Sequence, residues 1–293
     1  MTEDPSGDPF AAHRGLLFTV AYEMLGSAVD ADDVVQETWL RWAAADRAAV
    51  RDPRAYLVRA VTRQALNRLR TVSRRREDYV GEWLPEPLLT SPDVAEDVEL
   101  ADSVSMAMLT VLETLEPTER AVLVLHEVFD VPYDEIARAV GRSAPAVRQI
   151  AHRARQHVAA RRPRSVVSQA EQQRVVDRFL AALTAGDLQG LLDVLAPDVV
   201  VVADSGGLAP AARKPITGRE RVSAALSHYA RIAAGAPITT LLLNGGVGAR
   251  IDPGGQHDTA ITFVVEDGRI TRVYAMRNPH KLGRLDEPAE LRR

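Results

Sequence analysis

The stretch YDEIARAVGRSAPAVRQIAHRARQHV, residues 133–158, determines how the rest of the chain is interpreted. Its pattern predicts a short amphipathic helix, a turn at Gly141 and a second helix that begins after Ser143. The polar side of this second helix carries Arg148, Gln149, His152, Arg153 and Arg155. A helix-turn-helix of this kind presents arginine and glutamine to base edges in the major groove of DNA. An ordinary pair of helices with a polar outer face is the alternative.

The distribution of charge also favours nucleic-acid binding. Residues 51–77 hold nine arginines and two acidic residues, and residues 138–164 hold eight arginines and no acidic residue. Between these two blocks, residues 81–119 hold ten acidic residues and neither lysine nor arginine. Two basic blocks joined by an acidic segment fit two nucleic-acid contacts connected by a linker. Solvated helix faces would give the same distribution.

Length and composition exclude several classes of protein. A chain of 293 residues predicts about two domains. The absence of cysteine excludes disulfides and thiolate metal sites. The apolar runs are too short to span a bilayer, and the first ten residues lack the apolar core of a secretion signal. We therefore expect a cytoplasmic protein without membrane contact, and the scattered histidines predict no metal site or cofactor.

Composition divides the chain into segments. Residues 8–77 are predicted to be helical, with a stripe that includes Leu17 and Leu25 on one face of the first helix. Residues 78–104 are predicted to form an extended acidic linker, because their prolines exclude a continuous helix. Residues 105–162 are helical again and contain the helix-turn-helix.

The last part of the chain changes character. Residues 168–282 mix helical patterns with four strand-like runs, which predicts an α+β domain. The strand-like runs are Val199–Ala203, Ile238–Leu243, Thr259–Glu266 and Ile270–Met276. Asp267-Gly268 separates the last two runs and predicts a hairpin turn. Residues 283–293 are expected to be a disordered tail.

Motifs over residues 10–162 resemble the extracytoplasmic-function sigma factors of bacteria, which belong to the sigma-70 family. DADDVVQETWL, residues 30–40, resembles the stretch of region 2 that binds core RNA polymerase. PRAYLVRAV, residues 53–61, and NRLR, residues 67–70, resemble the promoter-melting helix. LEPTER, residues 115–120, and YDEIA, residues 133–137, resemble the opening of region 4.

The resemblance extends to a subgroup with a fused C-terminal SnoaL-like domain. WLPEP, residues 83–87, matches the linker signature of that subgroup. The two C-terminal signatures are altered, because Ser205 replaces a glycine and His280 replaces the usual aspartate. The implied fold is multidomain: two all-α sigma domains, a region 2 helical bundle and a region 4 helix-turn-helix, followed by an α+β cone of the NTF2-like type.

The resemblance implies an alternative sigma factor that directs promoter-specific initiation and is not an enzyme. Its implied partners are core RNA polymerase, through the β and β′ subunits, and promoter DNA. The residues expected to bind polymerase are Asp32, Asp33, Gln36 and Glu37. Trp39 and Trp42 are expected to hold their helix from behind. From the residues alone, an ordinary amphipathic helix with acidic residues near its N-terminus is the alternative.

Two DNA contacts follow from the same resemblance. The helix after Ser143 would read the −35 element. The residues expected at the −10 element, where the strands separate, are Arg54, Arg59, Arg63, Asn67 and Arg70. The arginines would neutralise phosphates and Asn67 would contact an extruded base.

The C-terminal domain is expected to modulate the sigma factor in cis, in place of a separate anti-sigma protein. The residues expected to form a regulatory contact between domains are Trp83, Leu84, Pro85, Glu86, Pro87, Asp204, Asn278, Pro279, Lys281 and Leu282. Packing of Trp83 on its own domain is the alternative.

Two other functional classes remain open. One is a helix-turn-helix regulator that works without polymerase and senses a small-molecule ligand through its C-terminal domain. The other is an enzyme of the SnoaL-like type with a DNA-binding appendage. Polar residues that could reach a cavity in that domain are Asp204, His228, Tyr229, Asp258, Tyr274 and Arg277. Their spacing is not diagnostic, so no catalytic residue is predicted.

Overall fold

The structure is a computed structural model that describes residues 8–161, 167–252 and 258–293. For residues 73–77 it describes the backbone but not the side chains. The chain forms two compact units. The first unit contains Met1–Glu77, Met108–Arg162 and Glu290–Arg293, and the second contains Asp78–Ala107 and Pro163–Ala289. No helix in the described residues is long and apolar enough to cross a membrane.

The described helices and strands follow in chain order. The helices are α1 (Pro9–Leu25), α2 (Ala28–Ala43), α3 (Pro53–Glu77), α4 (Pro92–Glu96), α5 (Val98–Ser103), α6 (Met106–Leu112), α7 (Pro117–Glu127), α8 (Tyr133–Val140), α9 (Ala144–Ala159), α10 (Gln169–Ala185), α11 (Leu188–Val194) and α12 (Arg219–Ile232). The strands are β1 (Leu195–Asp204), β2 (Ile216–Thr217), β3 (Ile238–Leu243), β4 (Gly246–Ile251), β5 (Thr259–Glu266) and β6 (Arg269–Met276).

Local signals set the helix boundaries of the first unit. The Asp8 carboxylate accepts a hydrogen bond from the Phe10 amide at 3.0 Å and begins α1. Gly26 adopts a left-handed conformation with φ 65° and ends it. The Ser27 hydroxyl then accepts from the Asp30 amide and begins α2. Helices α1, α2 and α3 pack against one another, and α7, α8 and α9 form a second bundle that contacts α1 and α3.

Helix α1 departs from the predicted single apolar face. Its residues are buried continuously from Gly15 to Leu25, and this stretch includes Thr19 and Glu23. A helix that is buried all round must be covered on every side by other parts of the chain. The spacing of the apolar residues in α1 did not predict that other parts of the chain bury its remaining sides.

The second unit is built on a six-stranded sheet with strand order β2-β1-β6-β5-β4-β3. Helices α10, α11 and α12 supply apolar side chains to one face of the sheet, where Phe179 and Phe263 meet edge to face. The opposite face holds a second apolar cluster that includes Leu84 from the linker. Asp267 and Gly268 turn the β5–β6 hairpin with φ 50° and 70°, as their sequence predicted.

Two sequence predictions are wrong. The linker is extended only in its first half, since Pro92–Glu96 and Val98–Ser103 are helical. The C-terminal tail is not disordered: Leu285 and Leu291 are each only 4% exposed. Both errors have the same cause, because irregular or short segments are ordered here by burial against distant residues.

Candidate functional site

Helices α8 and α9 form the predicted helix-turn-helix. Gly141 ends α8 in a left-handed conformation with φ 68°, which a residue with a side chain rarely adopts. The Ser143 hydroxyl accepts from the Ala146 amide at the start of α9. Val147, Ala151 and the other small apolar residues of α9 are buried against α7 and α8. The second helix therefore has one anchored face and one open face.

The open face of α9 carries the predicted duplex-reading residues. Arg148, Gln149, His152, Arg153 and Arg155 are all exposed. Arg153 lies 3.7 Å from Glu119 and Arg155 lies 3.1 Å from Glu127, which positions both guanidinium groups along the helix. Arg148 lies over the ring of Tyr133 at 5.9 Å. The arrangement places five polar side chains on one surface of the first unit.

The predicted melting residues lie along α3, and one of them is not free. Arg54, Arg63, Asn67 and Arg70 are exposed, and Arg59 is half-buried. Arg63 donates a hydrogen bond to the Arg138 carbonyl at 2.8 Å and another to the Ala139 carbonyl at 3.4 Å. Arg63 is solvent-exposed as its spacing predicts, and its guanidinium group also contacts the end of α8, which lies against α3.

A cleft of about 480 Å³ lies between the start of α3 and α8. The loop Ala49–Asp52, Tyr56, Arg59 and Arg138 contribute to its lining. The loop lacks aromatic residues, and Tyr56 of α3 supplies an aromatic ring to the cleft. The Tyr56 ring lies 5.6 Å from the Trp42 ring, and Arg59 lies 5.9 Å above it. Tyr56 lies three residues after Pro53, on a helix that faces the loop. This position was the sequence signal that could have identified it as a lining residue of the cleft.

The acidic residues of α2 lie near the surface, and several bind basic or amide groups. Arg68 bridges Asp30 and Asp33 at 2.6 Å each. Asp32 lies 3.7 Å from Arg14, and Glu37 accepts a hydrogen bond from Gln64. Gln36 and Glu37 are exposed, whereas Asp32 and Asp33 are half-buried.

The two tryptophans of α2 have different environments. Trp42 is 1% exposed, and its indole nitrogen donates to Asp8 at 3.0 Å. Trp39 is 44% exposed and its neighbour Leu40 is 56% exposed. The expectation that both tryptophans hold the helix from behind is therefore wrong for Trp39. An exposed aromatic and a leucine beside acidic residues form a mixed surface suited to a protein partner.

Within the second unit, a buried carboxylate joins the linker to the α+β fold. Asp204, at the end of β1, is fully buried. Its carboxylate accepts hydrogen bonds from the Tyr79 hydroxyl at 2.6 Å, the Leu84 amide at 2.8 Å and the Lys281 ammonium at 2.8 Å. The Asn278 side chain donates to the Tyr79 hydroxyl at 2.7 Å. We call Tyr79, Leu84, Asp204, Asn278 and Lys281 the Asp204 cluster.

Charge and burial organise the Asp204 cluster. Burial first, and then the Asp204 carboxylate, raise the pKa of the Tyr79 hydroxyl, which therefore stays a donor. Lys281 also donates to the Leu84 carbonyl at 2.6 Å, and its ammonium lies 4.1 Å from the centre of the Trp83 ring. Trp83 thus packs against Lys281 of the α+β fold. Tyr79 was not predicted, because it precedes the linker signature.

The remaining linker residues continue this contact. Pro85, Glu86 and Pro87 are buried, and Leu84 shares an apolar cluster with Leu282. Pro279 lies in a short 3-10 helix that begins at Asn278. The two departures from the subgroup pattern do not interrupt the contact. Ser205 accepts from the Gly207 amide, and His280 is exposed.

A second anchor lies at the turn between β3 and β4. Asn244 is 2% exposed and adopts a left-handed conformation with φ 52°. Its side chain accepts from the Leu88 amide at 3.0 Å and donates to the Val104 carbonyl at 2.9 Å. Leu89 pairs with Leu243 in an antiparallel bridge, so the linker extends the edge of the sheet. These contacts join residues 140 to 156 positions apart in the chain, so no local pattern predicts them.

The polar candidates for a catalytic cavity do not converge. Asp204 faces the linker, Asp258 binds Arg250 at 2.7 Å, and His228 is exposed. Tyr274 is buried on the linker side of the sheet, and Arg277 lies over the Tyr229 ring. A cavity of about 360 Å³ near the end of α12 is lined by Tyr229 alone of the six. Within the described ranges, no group of three His, Asp or Glu is placed to hold a metal.

Family comparisons agree with the architecture of the first unit. Residues 10–75 match the family described as Sigma-70 region 2. Residues 105–158 match the family described as Sigma-70, region 4. These two ranges contain the candidate residues on α2, α3 and α9.

The chain is similar to known proteins over nearly its whole length. It is 38% identical over 290 residues to ECF RNA polymerase sigma factor SigJ of Mycobacterium tuberculosis, covering 93% of this chain and 91% of that protein. It is 32% identical to the probable ECF RNA polymerase sigma factor SigI of the same species, covering 96% of each. The crystal structure of Mycobacterium tuberculosis SigJ matches with a TM-score of 0.76 and 35% identity, covering 92% of this chain and 95% of that chain.

Proposed function

Because this chain belongs to the extracytoplasmic-function sigma factors, we propose that its α+β unit regulates promoter-specific initiation in cis by holding the linker. The chain is an alternative sigma factor that directs RNA polymerase to promoter DNA, and its family is not enzymatic. The region 2 match removes the alternative of a regulator that works without polymerase.

Three surfaces are assigned by this proposal. The α2 surface with Asp32, Asp33, Gln36 and Glu37 binds core polymerase, and the exposed Trp39 adds apolar area to it. The open face of α9 reads the −35 element. The exposed side of α3 and the cleft at Tyr56 receive the −10 element, where an extruded base stacks on the aromatic ring.

The Asp204 cluster is the observation that carries the regulatory proposal. Two linker groups, the Tyr79 hydroxyl and the Leu84 amide, donate to one buried carboxylate, so the linker is held by charge-assisted hydrogen bonds. Asn244 holds the linker at a second point. A loose connection between two DNA-binding regions would not need two buried polar anchors, because each anchor costs desolvation energy.

The hydrogen bonds of Arg63 indicate whether the linker contact activates or inhibits initiation. In the first unit the guanidinium group of Arg63, which is predicted to bind phosphate, donates hydrogen bonds to two carbonyls at the end of α8. Region 4 therefore covers part of the DNA-binding surface of region 2, and the two regions must separate to bind two promoter elements. A linker held on the α+β fold limits that separation. We therefore propose that the linker contact inhibits initiation until the linker is released. Such control within one chain would need no separate anti-sigma protein. It would take place in the cytoplasm.

The test combines release of the linker with transcription. Lys281→Met removes the charge that binds Asp204, and Lys214→Met, at an exposed lysine, is the matched control. A glutamate-specific protease reports release, because the linker contains Glu82, Glu86 and Glu96. We expect Lys281→Met to be cleaved faster and to raise run-off transcription with bacterial core polymerase severalfold. Faster cleavage with unchanged transcription would contradict the regulatory proposal.

A further inference from the structure

Three residues of α1 form a stripe of small and polar side chains. Gly15, Thr19 and Glu23 are spaced four residues apart, so they lie on one face of the helix. Thr19 and Glu23 are each 0% exposed. Apart from Tyr22, apolar residues occupy the rest of the buried stretch Gly15–Leu25, so this stripe is its small and polar part. The elements that cover it bind through specific hydrogen bonds.

Region 4 covers the Glu23 end of the stripe. Arg120 of α7 is 2% exposed, and its Nε donates to the Glu23 carbonyl at 2.8 Å. Its Nη1 forms an ion pair with Glu113. Burial lowers the pKa of Arg120 to about 9, although Glu23 and Tyr22 oppose this effect, so the guanidinium stays charged at neutral pH. A charged contact of this kind specifies one arrangement of region 2 and region 4.

The C-terminal tail covers the other end. The Arg292 amide donates to the Thr19 hydroxyl oxygen at 2.9 Å, and Leu291 is 4% exposed. Glu290 lies 4.0 Å from Arg14 of α1. A Cβ at position 15 would lie 3.3 Å from both the Glu290 carbonyl oxygen and Arg292 Cγ. Glycine is unfavourable inside a helix, and here its lack of a side chain lets the tail approach closely.

We propose that Glu290–Arg293 are a latch that docks on the Gly15–Thr19 part of α1 and thereby holds region 4 on the Glu23 part. The two docking points are one helical turn apart and share one face of α1. The latch has one apolar side chain and a few polar contacts, so it can be released and closed again. Release of the latch favours the separation of region 4 from region 2.

Hydrogen exchange at the Arg292 amide tests the docking, because this amide donates to the Thr19 hydroxyl oxygen. Thr19→Val deletes the acceptor for the Arg292 amide. Thr38→Val is the matched control, because Thr38 is equally buried. Its hydroxyl donates a hydrogen bond to the Val34 carbonyl, four residues earlier in the helix. One hydrogen bond corresponds to roughly two- to tenfold in the docking equilibrium, so we expect the Arg292 amide to exchange faster by about that factor in Thr19→Val. Exchange at the control rate contradicts docking.

Distance measurements test the effect on region 4. The chain has no cysteine, so spin labels at Ala44→Cys and Ala160→Cys, both exposed positions, report the region 2 to region 4 distance. The tail variant Leu291→Asp leaves α1 unchanged and guards against a folding defect in Thr19→Val. We expect Leu291→Asp to add a population at longer distance. A distribution identical to that of the parent chain overturns the latch.

Discussion

The Lys281 ammonium lies 2.8 Å from a carboxylate oxygen of Asp204, and the Asp204 side chain is completely buried. A buried ion pair contributes little net stability, but removal of one partner leaves an uncompensated charge. The same carboxylate also binds the linker through Tyr79 and Leu84. This charged pair therefore supports one of the two polar anchors of the linker, the other being Asn244.

Lys281→Met is expected to destabilise the second unit. It leaves the Asp204 carboxylate without its cation, which costs about 3 kcal/mol in the free energy of unfolding. Urea unfolding measures the change, with Lys214→Met as the exposed control. Equal unfolding midpoints for the two variants would show that the pair does not hold the cluster together.

Asn244→Gly is expected to release the second half of the linker without disturbing the hairpin. Glycine accepts the left-handed backbone at this position, but the Leu88 amide and the Val104 carbonyl lose their partner. Each such buried group costs about 1–3 kcal/mol. Hydrogen exchange at residues 88–104 measures the effect. Asp267→Gly, also left-handed but exposed, should leave that exchange unchanged, and equal exchange in both variants would contradict the anchor.

Local patterns predicted much of the fold. The strands Ile238–Leu243 and Thr259–Glu266 occur where the strand-like runs and turn residues placed them. The short strand β2 and the glycine-containing strand β4 were missed. β2 has only two residues, and two glycines interrupt the alternation of β4. Their pairing with longer neighbours decides their conformation.

Arg148→Ala and Arg161→Ala are expected to differ in kind. Arg148 lies on the open face of α9, so its loss should reduce discrimination at one base pair by about 1–3 kcal/mol. Arg161 is exposed beyond the end of α9, so its loss should weaken binding to all sequences and flatten the salt dependence by roughly 0.9 in log–log slope. Binding of the full chain with core polymerase to promoter variants at several salt concentrations measures both. Equal effects on every sequence would contradict the assignment.

Tyr56→Leu is expected to impair strand separation more than duplex binding. Stacking of a base on an aromatic side chain contributes about 1–3 kcal/mol, which leucine does not provide. Permanganate reactivity of unpaired thymines measures opening, and Tyr56→Phe retains the ring as the control. If Tyr56→Leu opens promoters as well as Tyr56→Phe does, the cleft does not capture a base.

Long-range contacts explain what the sequence did not reveal in the candidate site. Arg63 is exposed, as its spacing predicts, yet its guanidinium group donates to the Arg138 carbonyl at the end of α8. Trp39 has the spacing of a buried residue, yet it is 44% exposed. The tail has no periodicity, yet Leu291 is buried. For Arg63 and the tail, the contacting residues lie far along the chain, so no local pattern contains them.

A reversible disulfide across the linker contact tests the central claim most directly. Leu89 and Leu243 are directly opposite in an antiparallel bridge, a geometry with Cα atoms about 4.5 Å apart that a disulfide can span. Because the chain has no cysteine, Leu89→Cys with Leu243→Cys can form a single intramolecular bond. We predict that oxidation lowers run-off transcription with core polymerase severalfold and that a reductant restores it in the same sample. Equal transcription from the locked and the reduced chain would contradict regulation through the linker.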